Sequence, residues 1–149
     1  MFTTISMTPM PLRNRPSRWI PAGFVLAGAA NIGGVLLFSL GFSNTRLGEL
    51  SPLVFSPFGL LCIMLWGLAY LAVAGGYRHV PWLVAVFALE KFAYVYTWAD
   101  WMRQHAEQLP ALFGESPLTA AFFVIYGPND LLFGLFFATV AAARLLRRH

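Results

Sequence analysis

Apolar positions in this chain do not alternate with polar ones; they run on. Predominantly apolar stretches occupy about Trp19 to Phe42, Pro57 to Tyr77, Pro81 to Trp101 and Pro117 to Ala143, and the flanks and connections outside them hold all nine arginines and three of the four glutamates. Runs of this length exceed a buried strand and match the roughly 20 residues that carry a helix across bilayer hydrocarbon. The pattern therefore predicts an all-α fold, an integral membrane four-helix bundle that forms a single transmembrane domain over residues 1–149.

The starts of the runs agree with one another. Pro57, Pro81 and Pro117 suit the first turn of a helix, where a missing N–H costs nothing, and Pro21 falls within the opening turn of the first run. Ser56 and Ser116 stand in front of two of these prolines as N-caps. The segment from Met102 to Ser116 extends the third helix to about Leu109, where Pro110 stops it, and the stretch from Ser43 to Ser56 lies along the interface.

Charge sets the orientation. Arg13, Arg15, Arg18, Arg78, Arg144, Arg147 and Arg148 flank one side of the four runs, and only Arg46 and Arg103 flank the other. Because positive flanks stay in the cytoplasm, seven against two puts the N-terminus and the C-terminus on the cytoplasmic side, in a bacterial inner (plasma) membrane. Trp19 and Trp82 then mark the inner interface and Trp98 and Trp101 the outer one, with indole N–H groups left wet, while Trp66 lies deep. The arginines before Trp19 have the charge layout of a signal peptide, but the apolar run that follows is too long for a cleaved segment.

Composition narrows the class further. Hydrophobic residues make up 58% of the chain and charged residues 11%, against roughly a quarter charged in soluble domains. The net charge of +4 resides in flanks rather than in a patch interleaved with aromatics, so no nucleic acid is expected. Cys62 is the sole cysteine and offers neither a disulfide nor a thiolate cage.

The candidate chemistry sits at mid-depth. The third run reads Ala88-Leu89-Glu90-Lys91-Phe92-Ala93-Tyr94 and the fourth Tyr126-Gly127-Pro128-Asn129-Asp130. At 1.5 Å per residue, Asp130 lies about 18–20 Å from the outer start of its helix, Glu90 about 14 Å from the inner start, and Asn31 about 18 Å into the first run. Lys91 is the only lysine, placed where a charge costs roughly 2.5–3.5 kcal/mol, so it is expected to face inward and pair with Asp130. Neighbours in sequence point about 100° apart on a helix, so Glu90 does not serve Lys91 directly.

Two stripes are expected to meet as a seam: Glu90, Tyr94, Thr97 and Trp101 on one helix, and Tyr126, Asp130 and Gly134 on the other. Ala29 with Gly33 and Ala30 with Gly34 are small-xxx-small pairs that favour a close neighbour, and Pro128 after Gly127 is expected to kink or break the fourth helix. His79, His105 and His149 all fall outside the runs, so no haem ligand pair and no metal cluster is expected; cofactors and metal are none, and no catalytic residue is assigned. Neither Gly33-Gly34 nor Gly75-Gly76 continues as a phosphate loop.

In layout, four short runs with an acidic residue in the third or fourth, the chain resembles the small DoxX-like and EXPERA-type membrane proteins. An EXPERA-type relation implies a sterol-like ligand or isomerisation with buried acids as proton donors, but the intramembrane histidine of such isomerases has no counterpart here. Three readings follow. The first is a non-enzymatic accessory or self-associating membrane subunit, partnered by the lipid bilayer and by copies of itself or a membrane complex, with Glu90, Lys91, Asn129 and Asp130 as its packing core. The second is a binder of a lipid or small apolar ligand, catalytic or not, with Trp66, Tyr70, Tyr94 and Tyr126 as walls and Glu90 or Asp130 as the polar contact. The third is proton-coupled transport by an oligomer.

Overall fold

In a computed structural model, residues 18–148 are described, the side chain of Arg148 excepted; Arg13, Arg15 and His149 lie outside them. Within these residues the chain is helical with no strand. The helices are α1 (Trp19–Phe38), α2 (Arg46–Leu50), α3 (Pro52–Phe55), α4 (Pro57–Val73), α5 (Pro81–His105), α6 (Leu109–Glu115) and α7 (Pro117–Leu145). Two of them, α1 and α7, are long and apolar enough to cross a membrane; α4 is apolar but has 17 residues.

The boundaries have local causes. Pro57, Pro81 and Pro117 each stand in a first turn, and the Ser56 hydroxyl caps α4 by accepting from the Gly59 N–H at 3.1 Å. Ser116 does not cap α7; its hydroxyl donates to Thr119 Oγ1 at 2.8 Å instead. The first helix ends at Phe38, short of the expected Phe42, because Leu40, Gly41 and Phe42 all take positive φ. Asn44 replaces the lost helical partner by donating to the Phe38 carbonyl at 2.9 Å, and also to Thr119 Oγ1 at 3.0 Å, which ties this turn to the start of α7. The second run closes at Val73 and continues as turns to His79.

Pro110 does not stop α5. That helix ends at His105, a 3-10 turn spans Ala106–Gln108, and Pro110 lies in the first turn of α6. Nor does Pro128 break α7, which runs through it without interruption, its ring on an exposed position. A proline costs a helix one N–H and a clash with the preceding turn, and here both fall on the exposed face of α7, at Pro128 and Val124.

The long helices pack chiefly as two pairs, α1 with α4 and α5 with α7, with α1 also touching α7. The first pair crosses at Gly28 and Gly67, where a Cβ on either glycine would meet the other's carbonyl oxygen at 2.8 or 3.0 Å. The expected small-xxx-small pairs do not make this crossing: a Cβ built on Gly33 or Gly34 meets nothing within 4 Å. Gly127 on α7 admits the Trp98 indole of α5, and Gly134 lies against Phe92 and Lys91.

Two aromatic cores fill the interior. One gathers Phe24, Tyr70, Tyr77, Phe87 and Phe137 near the end that carries Arg78 and Arg144. The other gathers Phe55, Trp101, Phe122, Phe123 and Tyr126 beneath the short helices. Polar groups lie between them.

Candidate functional site

All four long helices contribute to this layer. Lys91 projects from α5 and is 1% exposed. Its ammonium donates to Asp130 Oδ1 of α7 at 2.7 Å and to Asn31 Oδ1 of α1 at 2.8 Å, and it stands 5.5 Å above the Tyr70 ring of α4. Asn31 in turn donates through Nδ2 to the Ile63 carbonyl of α4 at 3.0 Å. One lysine thus ties both helix pairs together, and its cost of burial is offset by an anion, an amide oxygen and a ring face.

Glu90, on the same helix as Lys91, turns to a different partner, as the 100° step per residue requires. The Tyr70 hydroxyl donates to its Oε2. Its other oxygen, Oε1, is buried without a hydrogen-bond partner, and so is the Tyr126 hydroxyl. Tyr126 faces Thr97, whose own hydroxyl donates to the Tyr94 carbonyl at 2.9 Å. Asn129 is half-buried and reaches Asp130 Oδ1 only at 3.4 Å.

Most of the sequence-expected residues converge on one small cavity of about 50 Å³. Asn31, Glu90, Lys91, Tyr94, Tyr126, Asn129 and Asp130 line it, together with Ala30, Gly34, Val35, Phe55, Ile63 and Phe122. Trp66 and Tyr70 do not. Tyr70 lies below, in the aromatic core, with only its hydroxyl in the layer. Trp66 packs edge-on against Phe87 and borders a separate surface groove with Cys62, Leu65 and Ala69. A wall of four aromatic residues around an acid is therefore reduced to two, Tyr94 and Tyr126, because α4 directs Trp66 and the Tyr70 ring to the neighbouring aromatic core.

The two tryptophans expected at an outer interface have another job. Trp101 is 7% exposed, stacks on Phe123 at 3.9 Å between ring centres, and donates its N–H to the Leu50 carbonyl at 3.0 Å. Trp98 fits the slot at Gly127 and donates to the Phe123 carbonyl at 2.7 Å. Neither N–H is left for water. Trp19 and Trp82, at the opposite end, are 84% and 70% exposed. The Ser39, Asn44 and Thr119 cluster was missed from sequence; Asn44 just past an apolar run was the one available signal.

No protein family profile, no curated protein and no solved structure matches the chain.

Proposed function

We propose that the chain is an integral membrane protein whose four spans are α1, α4, α5 and α7, with both termini on the cytoplasmic side, and that it acts as a non-enzymatic subunit that self-associates or joins a membrane complex. The lateral surfaces support the membrane placement. Leu26 and Leu37 on α1, Leu65 and Leu68 on α4, Leu89 on α5 and Leu132 on α7 are all more than half exposed, a ring of apolar side chains that lipid suits better than water. Arg18, Arg78, Arg144 and Arg147 at one end against Arg46 and Arg103 at the other support the orientation.

The observation that carries the subunit reading is the double engagement of Lys91 by Asn31 and Asp130. A charge this fully partnered specifies which helices meet, a use well attested for buried polar groups. The test is thermal unfolding of detergent-purified Lys91→Met, Asp130→Asn and the double variant. Each single variant is expected to lose about 3 kcal/mol by stranding a buried partner, and the double variant to recover much of it. Single variants as stable as the parent would sink the reading and leave the charges free for another task.

A further inference from the structure

The Lys91 knot satisfies the lysine and leaves other groups of its layer wanting. Glu90 and Tyr126 are 9% and 7% exposed, and an oxygen on each is without a hydrogen-bond partner while both residues line the cavity of about 50 Å³. A buried polar atom left unbonded costs free energy that any suitable partner recovers. The cavity is not sealed. Ala30 and Gly34 of α1 and Asn129 of α7, which belong to its lining, are half-buried, and a Cβ on Gly34 would meet open space. Its mouth is therefore lateral, between α1 and α7.

We propose that this cavity binds the hydrogen-bonding head, a hydroxyl or amine, of an amphiphile whose apolar chain lies outside along α1 and α7. Size limits the head: at roughly 10–15 Å³ for each water-sized centre, the space holds about three to five such groups. Chemistry selects it. Glu90 Oε1 accepts a hydrogen bond, the Tyr126 hydroxyl gives or takes one, and because the Lys91 ammonium is already engaged by Asp130 and Asn31, the Glu90 carboxyl stands against an anionic head. Val35, Phe55 and Phe122 complete the lining with apolar surface that suits the first carbons of a chain. Beyond the mouth, Leu26 and Leu37 of α1 and Ile125 and Leu132 of α7 are exposed apolar side chains. The inference rests on the membrane reading, because the chain of the amphiphile needs lipid around these helices.

The test uses the full chain in phosphatidylcholine vesicles doped with 1-dodecanol, dodecylamine or dodecanoate, each bearing a photoreactive group near its head. Adducts are mapped by mass spectrometry after flotation of the vesicles. The alcohol and the amine are expected to label α1 and α7 around Gly34 and Asn129 saturably, and the carboxylate about tenfold less, the worth of one well-placed hydrogen bond. Gly34→Leu adds a side chain at the mouth, where a Cβ would meet open space, and is expected to cut labelling about tenfold, while Tyr126→Phe, which removes an oxygen without a hydrogen-bond partner, reduces it several-fold and leaves the fold intact. Equal labelling by all three heads, or labelling indifferent to both substitutions, overturns the proposal while the membrane reading stands. A chain that fails to float with the vesicles overturns both.

Discussion

The two aromatic cores have similar composition and are closed differently. In the core near Arg78 and Arg144, Phe24, Tyr70, Phe87 and Phe137 come from α1, α4, α5 and α7 in turn, so the four long helices converge on rings with centroids 4.8–6.5 Å apart. Tyr77 seals that end, its hydroxyl accepting from Arg78 at 3.2 Å and Arg144 at 3.1 Å. In the other core the rings of Phe55, Phe122, Phe123 and Tyr126 come mostly from α3 and α7, and the roof is made of short helices held by side-chain bonds to carbonyls. The first core is closed chiefly by ring packing from all four long helices. The second leans on specific hydrogen bonds, and the cavity with its orphaned oxygens opens beside it.

Substitutions that separate the two modes of closure sharpen this contrast. The largest effect is expected at Phe87, which contacts Phe24, Trp66, Tyr70 and Phe137. Phe87→Ala should cost about 3–5 kcal/mol in equilibrium unfolding in mixed micelles, and a cost below 1 kcal/mol would mean this core does not hold the helix pairs together. Next is Gly127→Ala, whose methyl group would collide with the Trp98 indole. Overpacking of this kind should cost about 1–3 kcal/mol in the parent and close to nothing in a Trp98→Ala background; an undiminished cost there would remove the indole from the account. The smallest is Trp101→Phe, which keeps a ring on Phe123 and removes the bond to Leu50: a loss of about 1 kcal/mol, with faster amide hydrogen exchange confined to α2 and α3. Trp82→Phe is the control, expected to change stability by less than about 0.5 kcal/mol because the side chain is exposed.

What could be read from the sequence follows from cost. Lys91 in an apolar run is expensive enough that a partner had to exist, and Asp130 was the acid at matching depth on another helix. Helix existence was legible for the same reason, since the runs were too long for strands. Helix rotation was not. On helices apolar all round, hydropathy names no inward face, so Gly28 could not be preferred to Gly33, nor Trp66 assigned to Phe87 rather than to the cavity. Trp101 was misread because its partner, the Leu50 carbonyl, exists only once α2 and α3 have folded back over α5, a 51-residue separation that no local pattern records.

The order of synthesis gives the two partners of Lys91 different roles in time. Asn31 is 60 residues behind the lysine and already made when it emerges, while Asp130 is 39 residues ahead. At roughly 5–20 residues per second a ribosome takes about 2–8 seconds to reach the aspartate, an interval in which the lysine's partners from the finished fold are limited to the Asn31 amide and the Tyr70 ring face. Asn31 is thus made early enough to meet the lysine before its carboxylate partner exists, and Asp130 is the last member of the knot to be synthesised.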